Sequence, residues 1–225
     1  AQRVAIARAL AVEPEVLLLD EPLAGLDVAA AATVRTVLRR VIAGGDRAVV
    51  VITHDLPDVI ELADRVLVLE DGRTAEEGAV ADVLGAPRSR FGARIAGLNL
   101  VRGVLREPGV LTSATGLDWW GTAAEPLTAG QEAIAVFSPA AVAVYRDVRC
   151  GSPRNVVSGL IGAVEATGTG MRVRLDNATD GSPGLAADVT AAAVAELRLA
   201  VGDRVWFAVK TQAVALHPAA RSAVR

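Results

Sequence analysis

Asp20 and Glu21 stand side by side after the apolar run Val16-Leu17-Leu18-Leu19, with Pro22 directly behind them. Two such carboxylates can divide the labour of phosphoryl transfer: one takes a hard cation that bridges phosphate oxygens, the other orients or deprotonates the attacking water. Thr53-His54-Asp55 then follows a second apolar run, Ala48 to Thr53. A neutral imidazole at that point can hydrogen-bond a γ-phosphate or the water. Taken singly, an Asp-Glu-Pro tripeptide merely ends a strand, and a lone His is a packed or solvated bystander. Together, at the ends of two strands, they are far more specific.

Such a group needs a scaffold. Four apolar residues between Pro14 and Pro22 read as a parallel strand buried on both faces, and open α/β sheets place ligands beyond the carboxyl ends of their strands. Upstream, Val4, Ala7, Leu10 and Ala11 mark one helix face across Gln2–Ala11, which Pro14 ends. Asp27 is placed to cap a second helix, whose apolar face is Val34, Val37, Leu38, Val41 and Ile42. Gly44-Gly45 stops it. Arg35, Arg39 and Arg40 read as its solvated side rather than a basic patch. A short helix is expected over Leu56–Ala63, a strand over Arg65–Glu70 turning at Asp71-Gly72, and a last short helix over Gly78–Leu84.

The chain has 225 residues, 52% of them hydrophobic, enough for one large or two modest cores. A net charge of -3 gives no electrostatic case for nucleic acid. Cys150 is the single cysteine, so no internal disulfide is possible. No apolar run approaches the roughly 18 residues of a membrane-spanning helix.

These motifs resemble the back half of an ABC-transporter nucleotide-binding domain. Leu-Leu-Leu-Asp-Glu-Pro looks like Walker B with its catalytic Glu, Ala24-Gly25-Leu26-Asp27 like the D-loop, Thr53-His54-Asp55 like the H-loop, and Gln2–Leu10 like the helix after the LSGGQ signature. The resemblance covers roughly residues 1–87. It implies ATP and Mg²⁺ as cofactors, with Asp20 holding the metal, Glu21 and His54 catalytic, and Asp27 reaching across a homodimer interface. Neither a Gly-x-x-x-x-Gly-Lys-Ser/Thr phosphate loop nor LSGGQ occurs in the sequence. The expectation is therefore the carboxyl-terminal portion of a longer ATPase, inactive by itself.

Past residues 87–92 the helical spacing gives way to short strands broken by Gly, Thr, Ser and Pro, and an internal repeat emerges. Asn99-Leu100-Val101-Arg102-Gly103-Val104-Leu105 matches Asn155-Val156-Val157-Ser158-Gly159-Leu160-Ile161, and Gly130–Tyr145 matches Gly202–His217. The offset grows from 56 to 72, which puts about sixteen extra residues in the second copy, around Asp180 to Arg198, with a short helix over Ala191–Leu197. Two tandem β units, 93–150 and 151–217, follow, with 218–225 as a tail. Small five- or six-stranded barrels suit this pattern. The fold class expected is thus α/β followed by all-β, OB-fold-like barrels.

The second unit is similar to a TOBE domain, and the tandem pair with Ser152-Pro153-Arg154-Asn155 at its junction resembles the molybdate-importer branch of the ABC ATPases. That resemblance implies an ATPase subunit at the cytoplasmic face of the plasma membrane. Its partners would be integral membrane permease subunits and, indirectly, a periplasmic or extracellular solute-binding protein. Ser152, Arg154 and Asn155, with Lys210 and Thr211, match donor segments for an oxyanion such as molybdate or tungstate. Dimer contact is the other reading of the same tail. Alternatives for the whole are an importer of sulfate, iron or a polyamine, and a non-catalytic oxyanion-binding regulator. Trp119-Trp120, adjacent on a strand, are expected on opposite faces, one in a core. Asp118 and Glu125 nearby argue against a nucleic-acid stacking platform.

Overall fold

The computed structural model describes residues 2–44, 47–70, 72–147, 151–168, 170–177 and 183–220. Cys150, Asp71, Gly45 and the end of the tail lie outside them. Two compact units are present, Ala1–Leu67 with Glu77–Val83, and Val68–Glu76 with Leu84–Arg225.

The first unit is mixed α/β. Helix α1 (Gln2–Leu10) leads to β1 (Val16–Asp20), α2 (Val28–Ala43), β2 (Ala48–Ile52) and α3 (Leu56–Leu62). Strands β1 and β2 pair in parallel, with Asp20 opposite Ile52 at their carboxyl ends. Ile6, Leu17, Leu19, Leu23, Val34, Leu38 and Leu62 form the core, with Val49 and Val51 against it. Only one face of the sheet is covered: Leu18 is 72% exposed, and Val16, Val50 and Ile52 point away with it. The expectation of burial on both faces fails because, among the described residues, the helices pack on one side alone. Period two puts every second residue on the other side.

Asp27 caps α2 as expected, its Oδ1 accepting the N–H of Ala30 at 2.8 Å. Arg35 departs from its expected solvated place. It is buried, and its Nε and Nη2 donate to Asp58 Oδ1 at 2.9 and 2.7 Å. Val37, expected on the apolar face, is 46% exposed instead. Strands β3 (Arg65–Glu70) and β4 (Arg73–Ala79) form the hairpin, and α4 (Val80–Gly85) begins two residues later than expected because Gly78 and Ala79 belong to β4. Helix α5 (Arg90–Ile95) has no counterpart in the sequence reading, although Ser89 caps it through Gly92 N–H.

The β region runs β5 (Asn99–Glu107), β6 (Val110–Ser113), β7 (Asp118–Trp120), β8 (Thr122–Ala123), β9 (Glu132–Phe137) and β10 (Val142–Tyr145). It continues with β11 (Asn155–Thr167), β12 (Gly170–Leu175), β13 (Ala186–Val189), α6 (Ala191–Glu196), β14 (Arg204–Val209) and β15 (Ala215–Pro218). Strand β11 has 13 residues against 9 in β5, so part of the second copy's extra length is spent before the expected segment. Gly103, in the repeated motif, sits so close to β6 that a Cβ there would lie 2.2 Å from the carbonyl oxygen of Thr112.

The two copies are not simply tandem. The sheets run β7-β6-β5-β9-β15-β8 and β10-β14-β11-β12-β13. Strand β10, the end of the first copy, pairs antiparallel with β14 of the second, while β15, the end of the second, pairs with β9 of the first. Each repeat gives its last strand to the other's sheet. One hydrophobic core accordingly runs through both, from Leu105, Leu111 and Trp119 to Val173, Phe207 and Leu216.

Candidate functional site

Because Asp20 faces Ile52 across the parallel pair, the residues after them emerge together at one edge. Glu21 N–H donates to the carbonyl of Ile52 at 2.9 Å. Its backbone sits in the left-handed region, φ 44°, rare for a residue with a side chain and a mark of functional sites. That turn brings Glu21 Oε1 to 2.7 Å from His54 Nδ1. With the carboxylate ionised, the contact is made by an Nδ1–H, which leaves Nε2 of the neutral ring as a hydrogen-bond acceptor.

The edge is braced from beneath. Asp58 Oδ2 accepts from Thr53 Oγ1 at 3.0 Å, and Thr53 Oγ1 accepts the N–H of Asp55 at 3.1 Å. Since Asp58 is itself gripped by Arg35, a buried network ties α2 to the residues flanking His54. Sequence reasoning missed Arg35 and Asp58; an acid one helical turn after His54 was the available signal. Among the described residues no cluster of three or more His, Cys, Asp or Glu is placed to hold a metal ion. Asp20, the last residue of β1, is exposed at this edge.

The second candidate group lies at the end of β11 and β14. Asn155 pairs with Val209, so Arg154 and Lys210 leave the sheet as neighbours. Arg154 rests over the Trp120 ring, 4.9 Å from its centroid. Lys210 and Ser152 are exposed, and Thr211 is half-buried. Asn155 differs from expectation. It is buried, its Oδ1 accepts from Trp120 N–H at 2.6 Å, and its Nδ2 donates to Trp120 O at 2.8 Å. A carboxamide spent in this way holds the segment in place instead of donating to an anion. Trp119 is buried and stacked on Phe137, centroids 5.2 Å apart, on the face opposite Trp120.

Residues 151–216 match the TOBE domain family. The molybdenum import ATP-binding protein ModC of Mycobacterium tuberculosis is 61% identical over 219 residues, 97% of this chain and 59% of that protein. Over these stretches the chain is similar to ABC ATPases that carry a TOBE domain. It spans 59% of the length of that relative. The sulfate/thiosulfate import ATP-binding protein CysA of Mesorhizobium japonicum is 44% identical over 90 residues, covering 40% of the chain and 26% of that protein. Among solved structures, the molybdate-bound cytoplasmic molybdate-binding protein ModG covers 53% of the chain and 95% of its own, at 24% identity and a TM-score of 0.48. The TOBE-matched stretch does not stand alone: its five-stranded sheet includes β10, from residues before 151.

Proposed function

We propose that this chain supplies the water-activating side of the ATP site in an importer ATPase for molybdate or a related oxyanion. The observation that carries the proposal is the Glu21–His54 contact beside Asp20 at the carboxyl edge of the parallel pair. Asp20 would hold Mg²⁺, and the metal would supply charge neutralisation at the phosphates. Glu21 would orient and take a proton from the water. His54, anchored through Nδ1–H, would accept a hydrogen bond from the attacking water at Nε2 when neutral, and would donate to the γ-phosphate there only when doubly protonated. Asp27 would act at the interface of two such subunits, alongside its cap to α2. Both side chains of the pair are partly open to solvent, 66% for His54 and 36% for Glu21. Their contact gains strength when closure over ATP excludes water. Substituting Glu21→Gln in the full-length protein tests this: ATP binding should persist while turnover collapses. Undiminished hydrolysis would remove Glu21 from the role.

Molybdate enters through the 61% identity to ModC and through the Arg154/Lys210 corner. Two neighbouring cations, with the hydroxyls of Ser152 and Thr211, are the donor set a tetrahedral dianion requires. The corner would sense the transported anion, and Asn155 would hold it in shape. Membrane permease subunits and an external solute-binding protein would complete the transporter, with this chain peripheral at the cytoplasmic face.

A further inference from the structure

A cavity of about 770 Å³ opens in the β region, lined in part by Gly97, Leu98, Asn99 and Pro139. At the repeat's two offsets, Leu98 is the counterpart of Arg154, Ser138 of Lys210 and Pro139 of Thr211. The cavity therefore occupies, in the first copy, the place that the Arg154/Lys210 corner holds in the second. None of that corner's cations is repeated here. Positive charge arrives from other elements instead: Arg90 and Arg94 of α5, Arg102 of β5, Arg172 and Arg174 of β12, and Arg204 of β14, against the lining carboxylates Glu165 and Asp176.

Part of this charge is spent. Arg172 is held by Asp188 through Nε and Nη2, at 2.7 and 2.9 Å, and Arg102 lies 3.8 Å from Glu70. The remaining nitrogen of Arg172, Nη1, lies 3.9 Å from where a Cβ on Gly97 would stand, over a turn with φ +69°. Arg94 covers the Phe91 ring, and Arg174 donates to the carbonyl of Gly184 at 3.3 Å. Among the described residues, Arg94, Arg174 and Arg204 have no carboxylate within ion-pair distance. Guanidinium groups without carboxylate partners around a concavity are suited to bidentate recognition of phosphate. Leu100, Val157, Leu160 and Leu185 make the rest of the wall apolar. The volume suits a small organic molecule and exceeds what one tetrahedral oxyanion fills.

We propose that this cavity binds a phosphorylated organic anion, with two or more phosphate groups on a carbon frame, at a site separate from the Arg154/Lys210 corner. The phosphates lie against Arg174, Arg204 and Arg94, and the frame lies against the leucines and Val157. The effector is thus of a different class from the transported solute.

Isothermal titration of the full chain with fructose 1,6-bisphosphate, and in parallel with inorganic pyrophosphate, tests the site. Saturable binding of the bisphosphate is expected, weakened at least about tenfold by Arg204→Glu or by Arg174→Ala and unchanged by Arg154→Ala. Arg204 is exposed, so its variant keeps the fold, which an unchanged melting temperature verifies. Absence of saturation at millimolar bisphosphate overturns the proposal. So does binding that survives both cavity substitutions, whether it resides at the nucleotide site or the Arg154 corner. Equal affinity for pyrophosphate overturns the assignment to an organic anion. Molybdate titration of the Arg154→Ala variant reports on the oxyanion corner independently, so failure of one site does not imply failure of the other.

Discussion

The carboxamide of Asn155 closes a two-bond clasp on the backbone of Trp120, and Asn99, its counterpart in the repeat, closes the same clasp on Ala186 at 2.7 and 2.8 Å. Each asparagine opens the long first strand of its copy and fastens the edge strand of the other sheet. Both are buried, so removing either leaves a backbone N–H and C=O without partners or water. Asn155→Ala and Asn99→Ala should each cost about 1–3 kcal/mol in denaturant unfolding. Equal stability to the parent would show that the clasps are incidental.

Asp58→Ala removes the partner of a buried guanidinium. Arg35 then keeps its charge with no acceptor of comparable strength, Glu61 being 3.7 Å from it and more exposed. Breaking a buried pair from one side costs about 3–5 kcal/mol, so the variant should unfold at markedly lower denaturant. Replacing both partners, Arg35→Met with Asp58→Leu, should recover much of that loss. A double variant as unstable as the single one would contradict this account of Arg35.

Arg146, just past the exchanged strand β10, bonds the carbonyls of Leu197 and Arg198 and the carboxylate of Asp203 at 2.8 Å. That side-chain bond, followed by the N–H of Ala200, holds the Asp203 carboxyl below the usual carboxylate range. A carboxylate whose folded pKa is depressed adds stability above its unfolded pKa, near 4, and loses it as pH falls through the folded value. Asp203→Asn should therefore flatten the fall of melting temperature below about pH 4, a modest change for so exposed a group. An identical slope in the variant would remove Asp203 from the acid response.

Arg154→Ala removes the cation over Trp120 as well as a candidate anion donor. An exposed cation–π contact is worth about 0.5–1 kcal/mol, so stability should change little while anion affinity falls more. Comparable small losses in both would make Arg154 a packing residue only.

Much of the site was legible in the sequence because its pieces are local. A strand ending in Asp20-Glu21, another ending before His54, and a cap at Asp27 each declare themselves within a few residues. What stayed hidden depends on partners far along the chain. Arg35 looked solvated because Asp58, which buries it, comes 23 residues later. The Val-Leu run of β1 reads as buried on both faces, and only the fold shows that, among the described residues, one face of the strand is exposed. Likewise the repeat announced two similar sets of strands, while the sheet each last strand joins is decided by pairing that similarity does not encode. Asn155 is an expected anion donor only through the resemblance to the molybdate-importer branch, and only the fold shows its carboxamide clasped on Trp120.

The reading of this chain as part of an oxyanion importer is tested most directly by isothermal titration of the full chain with molybdate, tungstate, sulfate and phosphate in turn. The account predicts saturable binding of molybdate and tungstate, weakened about tenfold or more by Arg154→Ala or Lys210→Ala, and none of sulfate or phosphate at that corner. Binding of no anion there, or equal binding of all four, would contradict it.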